Sequence, residues 1–592
     1  MLLEQEPAVF HSERPMSLFT FELKNQRLRD NLITKKTDKE EISMKKILIL
    51  LLVILLVLVS SAGCKHKRKK HTGNQYLQLA TGNASGTFYN NNDDDDNNDA
   101  LDNADTTING ASDETDLSEF QIAAHTKMAD GWTGELSLDA DSSSKVRLFY
   151  HNGTNWSVIT FSGGVYTITT AQLKAGVRFK IEALTYQEAK TATPGQWCGK
   201  VEIQFVLKDN SGKIRGTEKI QMRVSPYIML PNTQPAQTVY FVSTSDNSTF
   251  RTQLKSVLNS LGISYVEIDG SKYSYDRWCQ DSHEIGYSSV ERNGAQVAMP
   301  VVLRAPRNRP LINYPFNELL GPDFGYTAYG TTSIDTTDED ASMNSFGNLD
   351  VTPPVSDYPL GRIYYGGKEG FRRIDGYLRA FLNTQVTQAD CLEVDSSWLA
   401  VGHIDEFMMF IPDKTGFKIA YASPRLAKSI LQELKDAGKG NLVIHQGKGS
   451  YERTVNDVLN DADFTAYNDY CQAKLDTIRT QLKSQLKLSD KHFVELPVLY
   501  EDYSGGYAVA WTAGAANLLV LNNQNVVVPK QFGPQDGGVD KFEECITNRL
   551  QPLGLNVHYV DCWDSYHIFM GEIHCGTNAK RQPFSTFWWK VR

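Results

Sequence analysis

VYFVST (residues 239–244), FRTQLKSVLNSLG (250–262) and ISYVEID (263–269) decide the fold class. The first and third are short runs of apolar, β-branched and aromatic residues, the pattern of strands. The middle run places Phe250, Leu254, Leu258 and Leu261 at helical spacing and stops on Gly262. The alternation continues. RLAKSILQELKDAG (425–438) reads as a helix with a glycine stop, LVIHQG (442–447) as a strand, and 461–487 as a long helix. FVELPVLY (493–500) and NLLVLNNQNVVVP (517–529) read as strands, the second turning through asparagines. Residues 227–592 are therefore α/β, with short strands and many loops.

Upstream the pattern changes. VRLFYHNG (146–153), WSVITF (156–161), VYTITT (165–170), VRFKIEALTY (177–186) and KVEIQFVLKDNSGK (200–213) are strand runs between Gly/Asn/Asp turns. Asp209 to Gly212 is a hairpin signal. Residues 75–226 thus read as an antiparallel β-sandwich. The Pro-rich crossing SPYIMLPNTQP (225–235) marks the boundary.

MKKILILLLVILLVLVSSAGC (44–64) has two lysines, an apolar run, small residues and a cysteine, the layout of a bacterial signal peptide. Its end resembles a lipoprotein cleavage box, with Cys64 as the lipidated residue and Ser61 departing from the usual aliphatic position. The alternatives are an uncleaved anchor and free secretion. Residues 1–43 are polar and aperiodic, an extension upstream of an expected start at Met44. The basic tether 65–74 would lie just outside the bilayer against anionic head groups. The expected address is exported and membrane-anchored, on the periplasmic or cell-surface side.

Composition is that of a globular protein: 592 residues, 41% hydrophobic, 22% charged, net charge -10. No long stretch is basic enough for nucleic acid. Eight cysteines include no CxxC pair, which argues against zinc. Asn91 to Asp116 holds ten acidic and no basic residues. It is either a self-repelling linker or a calcium site, since hard cations take many oxygen ligands; its spacing is not that of an EF-hand.

Three stretches carry chemistry. GEIHCGTN (571–578) holds Cys575, either a nucleophile or a small buried residue. DRWCQDSHE (276–284) gathers Trp278 and Asp281. WLAVGHIDEF (398–407) has the apolar flanks of a buried strand, on which His403 and Asp405 would share a face. Together they suit a guanidinium. Asp281 and Asp405 would each take an edge of it, and Trp278 would line its stem. Cys575 would attack its carbon, and His403 would move the protons.

The motifs DRWCQD (276–281), PRNRP (306–310), GPDFGY (321–326), SFGNLDVTPPV (345–355), YPLGRI (358–363), WLAVGHIDEF (398–407), QPLGL (551–555) and GEIHCGTN (571–578) resemble the vertebrate-type protein-arginine deiminases. The acidic stretch and SPYIMLPNTQP resemble that family's middle, immunoglobulin-like domain; its N-terminal domain has no counterpart here. The resemblance implies a five-bladed α/β-propeller of ββαβ units, pseudo-fivefold, behind an immunoglobulin-like sandwich. It implies hydrolysis of peptidyl-arginine to peptidyl-citrulline and ammonia, with Asp281, His403, Asp405 and Cys575 catalytic. Arg307 and Arg309 would hold main-chain carbonyls of an arginine-containing peptide.

The resemblance also implies calcium. One site would use Gln280, Glu284, Phe346, Leu349 and Asp350. The sandwich ligands would be Asn91, Asp93, Asp95, Asp102, Asp105, Asp113 and Asp116, with Glu182 and Asp323 contributing. A further family site has Ser282 at its first carboxylate position and Arg304, followed by Ala305, at the next. Either Arg304 replaces the ion's charge or that site is lost. Phe569 stands where some vertebrate members carry an arginine near the substrate. Two other readings are kept: a deiminase or amidinotransferase of a small free guanidino compound, and a catalytically silent calcium-binding surface protein.

Overall fold

The computed structural model describes residues 79–81, 86–331 and 340–591. The upstream extension, the apolar segment with Cys64, and the basic tether lie outside these residues. Among the described residues no helix is long and apolar enough to cross a membrane.

Beyond residue 235 one pattern occurs five times. In each three-stranded sheet a central strand pairs antiparallel with one neighbour and parallel with the other. The central strands are Ala236–Ser243, Ala295–Arg304, Ile363–Gly366, Gly416–Ser423 and Asn525–Pro529. Their antiparallel neighbours are Thr577–Arg581, His283–Arg292, Leu349–Val351, Met408–Asp413 and Leu519–Asn522. Their parallel neighbours are Ser264–Asp269, Gly325–Ala328, Leu392–Val394, Phe493–Pro497 and Asn556–Val560. A parallel return needs a crossover. It is made by Ser248–Leu261, Gly376–Thr384, Pro424–Asp436 and Lys541–Leu550 in four repeats, and by the short turns Pro310–Asn313 and Pro315–Leu319 in the second. This is the expected ββαβ unit in four copies, and in the second repeat short turns replace its helix. The chain's last strand, Thr577–Arg581, completes the first sheet, so the segment around Cys575 is stitched to the start of the domain.

The crossover helices are held by their apolar faces. Ser248–Leu261 buries Phe250, Leu254 and Leu258 and ends on Gly262 at φ 66°, the left-handed C-cap that favours glycine. Helix Ala462–Gln485 occupies the expected long segment. The LVIHQG strand shrinks to Val443–Ile444. The largest correction falls on WLAVGHIDEF. Its apolar flanks belong to a buried turn, not a strand: Ile404–Glu406 is a single 3-10 turn with His403 at its N-cap, and the strand starts only at Met408.

The upstream part is a sandwich of two five-stranded sheets. One contains Ser118–Ile122, Val146–His151 and Val177–Ala183, the other Thr133–Leu138, Lys200–Lys208 and Ile214–Val224. Phe120, Leu148, Phe179 and Ile181 from the first meet Leu136, Ile203 and Phe205 from the second in one core.

Candidate active site

In every repeat, the segment just before the antiparallel outer strand supplies the site. Asp281 lies on the turn Cys279–Ser282, Gly347 on Phe346–Asn348, and Asp405 on Ile404–Glu406. Asn517 precedes Leu519–Asn522, and Cys575 precedes Thr577–Arg581. Five equivalent positions, scattered over 295 residues (575 − 281 + 1), thus meet in one place.

Asp281, His403, Asp405 and Cys575 are all buried. His403 Nδ1 lies 3.7 Å from Asp281 Oδ1, and its Nε2 bonds the Ser342 carbonyl at 2.9 Å. Cys575 Sγ lies 3.4 Å from Asp405 Oδ2. Asp281 Oδ1, His403 Nδ1 and Asp405 Oδ1 are buried without hydrogen-bond partners. Buried polar atoms are paired as a rule, and unpaired ones need a reason. Gly347 faces this gap: a methyl there would lie 2.7 Å from His403 Nδ1, 3.0 Å from Asp405 Oδ2 and 3.2 Å from Asp281 Oδ1.

Burial pushes the Asp281 carboxyl up, partly offset by His403, Arg309 and Arg307. Burial, then the charges of Asp405 and Asp281, push the Cys575 thiol well above its ordinary value. The Cys575 thiol is thus held protonated beside the Asp281 and Asp405 carboxyl groups, and a planar cation suits this setting.

A cavity of about 230 Å³ leads to these groups, lined by Trp278, Arg307, Arg309, Val401 and Phe569 among others. Trp278 packs on Gly571, where a Cβ would stand 2.2 Å from its ring. Arg309 forks onto Asp276, with Nε at 2.9 Å from Oδ2, and Arg307 donates to the Ala341 carbonyl. Both arginines stand at the mouth, but Arg309 is already tied to a carboxylate. Phe569 is 45% exposed at the rim, under the Arg277 guanidinium at 4.5 Å.

Two further residues hold the site together, Asn517, which the sequence does not single out, and His574, which it offers only as a neighbour of Cys575. Asn517 Nδ2 donates to Cys575 Sγ at 3.0 Å and to the Asp405 carbonyl at 3.2 Å. Its Oδ1 accepts the backbone N–H groups of His574 at 3.0 Å and Cys575 at 3.2 Å. His574 has a partner too: its Nδ1 sits 2.8 Å from Asp405 Oδ2.

The cation positions divide into two groups. In the sandwich, Asp93, Asp95 and Asp102 bring carboxylate oxygens within 4.8 Å of one another. Buried oxygens of Asn91, Asn92, Asp93, Asp95 and Asp116 have no partner. Burial and mutual repulsion push Asp93 to about 7, Asp102 to about 8 and Asp116 to about 9. The Asp323 backbone N–H donates to Asp93 Oδ2 at 3.2 Å, and its charge acts on Asp95 and Asp116. Asp113 accepts from Asn91 at 3.0 Å. Glu182 is paired with Arg147, and Asp105 accepts from Thr107 N–H at 2.6 Å, so these two are partly committed. Asn92, absent from the predicted set, joins it. This all-oxygen set, with several buried oxygens left unpaired, fits calcium.

In the second group, Gln280 Nε2 lies 2.9 Å from Glu284 Oε2 and 3.4 Å from the Phe346 carbonyl. Asp350 and Leu349 line the same small cavity. Burial, then Asp350, pushes Glu284 to about 8. The half-buried Glu284 and buried Asp350 carboxyl groups, a carbonyl and an amide that can turn its oxygen inward also fit calcium. At the third, Ser282 Oγ is spent on the Cys279 carbonyl and the His283 ring, and the set contains no carboxylate cluster.

Residues 215–590 match the protein-arginine deiminase (PAD) family. Mouse protein-arginine deiminase type-1 is 35% identical over 441 residues, 72% of this chain and 64% of the relative. Human type-4 is 33% identical over 434 residues, 71% and 63% of the two chains. Human type-1 is 33% identical over 506 residues, 81% and 74%. The chain thus spans just under two thirds of the first two relatives. Among solved structures, an agmatine deiminase of C. jejuni covers 60% of this chain and 96% of its own at TM-score 0.33 and 14% identity. That of Enterococcus faecalis covers 61% and 97% at TM-score 0.33 and 11% identity.

Proposed function

The chain belongs to the protein-arginine deiminase family, and from that premise we propose that it hydrolyses peptidyl-arginine to peptidyl-citrulline and ammonia. One observation carries the reading beyond family membership. Three buried, partnerless polar atoms, on Asp281, His403 and Asp405, surround a gap next to the Cys575 sulfur. A guanidinium satisfies the two carboxylates by its N–H edges. Its stem runs out past Trp278 toward Arg307 at the mouth.

The entering cation removes the repulsion that holds the thiol neutral, and the thiol proton passes to His403. The thiolate attacks the guanidinium carbon, guided by Asn517, and a C–S bond forms. The C–N bond breaks as His403 returns the proton to the leaving nitrogen, and ammonia departs. Water then gives a proton to His403 and its oxygen to the carbon; the C–S bond breaks, and the sulfur takes a proton back. The product ureido group is neutral and releases the paired aspartates.

Calcium, when bound, supplies the positive charge that offsets repulsion among the clustered carboxylates. Asn91, Asn92, Asp93, Asp95, Asp102 and Asp116 would hold one part of it, and Gln280, Glu284, Phe346 and Asp350 another. Export with a lipid at Cys64, or an uncleaved apolar anchor, is part of the same proposal. It rests on residues 44–64 alone, and N-terminal sequencing with lipid analysis tests it.

The activity test is incubation with an arginine peptide, free arginine and agmatine, each with calcium and with chelator. Citrulline in the peptide, only with calcium, is expected. Faster turnover of free arginine or agmatine than of the peptide would move the substrate assignment to small guanidino compounds.

A further inference from the structure

A second cavity, of about 460 Å³, lies between the sandwich and the loops around the third sheet, and none of the catalytic residues lines it. The sandwich contributes Lys190, Lys200 and Arg223; the catalytic part contributes Tyr358, Thr387 and Trp588. Arg223 lies at the end of the strand Ile214–Val224. Its guanidinium lies 5.3 Å from the centre of the Trp588 ring, and its Nε is buried with no hydrogen-bond partner. Burial lowers its pKa, and the titratable group acting on it is the Cys198 thiol. Among the described residues no carboxylate pairs with Arg223 or Lys200.

The other charges nearby are spent. Lys190 is paired with Asp390, and Asp357, which also lines the wall, is paired with Lys487. Thr387 Oγ1, on the opposite wall, is likewise buried without a partner. The Arg223 side chain is half-buried, and a partly desolvated guanidinium normally has a counter-charge, because desolvating it alone is costly. Its planar fork of N–H donors matches oxyanions, and a hydroxyl can add a third donor.

We propose that this cavity binds a small oxyanion, a carboxylate or a tetrahedral anion, held by Arg223, Lys200 and Thr387. Bound there, the anion ties the sandwich to the catalytic part through charge, where the protein alone leaves two donors idle.

Thermal unfolding of the whole chain in sulfate, against chloride at matched ionic strength, tests the site. A saturable rise in Tm with sulfate is expected, with sulfate affinity about tenfold weaker in Arg223→Gln, the loss of one charged contact. Citrulline formation should be unchanged in that variant. If Arg223→Gln does not fold, Lys200→Gln, at an exposed position, must weaken sulfate binding several-fold. No saturable response in the wild type overturns the proposal. So does equal sulfate affinity in the folded variants.

Discussion

Replacing Asn517 separates positioning from chemistry, because its amide touches the nucleophile and the backbone that carries it. Asn517→Ala removes four hydrogen bonds: to Cys575 Sγ, to the Asp405 carbonyl, and from the His574 and Cys575 N–H groups. Two backbone groups, the Asp405 carbonyl and the Cys575 N–H, are left unpaired in a buried setting, at about 1–3 kcal/mol each, while the His574 N–H keeps the residue-517 backbone carbonyl at 3.3 Å. Water can enter from the small space that Asn517 also lines, which recovers part of this cost. A loss of about 3 kcal/mol in urea unfolding is the expected sum. A sulfur misplaced by about 1 Å should lower kcat about 100-fold. Asn517→Asp is the sharper variant. It keeps an acceptor for both N–H groups but loses both donations and puts a charge beside a thiol already held high by burial, Asp405 and Asp281. It should therefore be more stable than Asn517→Ala, yet need a more alkaline pH for activity. The assays are urea unfolding and citrulline release across pH. An Asn517→Ala variant within about 0.5 kcal/mol of wild type and with undiminished kcat would refute this reasoning.

Gly347→Ala places a methyl among His403 Nδ1, Asp405 Oδ2 and Asp281 Oδ1 and should cut citrulline formation at least about 100-fold, with far-UV circular dichroism unchanged. Alkylation of Cys575 by iodoacetamide, without substrate, should keep rising with pH past 9, since the thiol pKa is raised; a plateau near neutrality would contradict it. The sandwich carboxylates titrate above their unfolded value of 3.8, with Asp93 near 7, Asp102 near 8 and Asp116 near 9. The calcium-free fold thus binds more protons than the unfolded chain, and its stability should fall as pH rises through that window. Calcium uptake at pH 7 should release protons, measured by calorimetry in buffers of different ionisation enthalpy. Asp281→Asn should abolish turnover while leaving the fold intact, read by citrulline assay and thermal melt.

Much of the site was legible because its chemistry needs unusual residues in apolar company. Cys575, His403, Asp405, Asp281 and Trp278 each sit in a short stretch where a polar or aromatic group stands out. Asn517 was not legible. In NLLVLNNQNVVVP it reads as the polar edge of a strand, and its role depends on a contact 58 positions away. His574 stands out as a candidate base by its place beside Cys575, but its bond to Asp405, 169 positions off, does not. The turn at Ile404–Glu406 was misread as strand because burial, not periodicity, makes its flanks apolar. The fivefold repetition could not be read from spacing. The crossover holds two short turns, Pro310–Asn313 and Pro315–Leu319, in the second sheet and three helices, Pro424–Asp436, Val455–Asn460 and Ala462–Gln485, in the fourth. The acidic stretch alone leaves linker and cation site open, and the unpaired buried oxygens of Asn91, Asp93, Asp95 and Asp116, which fit a cation, come from parts of the fold that spacing does not show.

In the proposed reaction Cys575 converts arginine within a peptide to citrulline. Mass spectrometry of an arginine peptide, incubated in calcium with the wild-type chain and with Cys575→Ala, tests it directly. Citrulline should form at the arginine with the wild type and not with the variant. Undiminished conversion by Cys575→Ala, or none by the folded, calcium-loaded wild type, would contradict it.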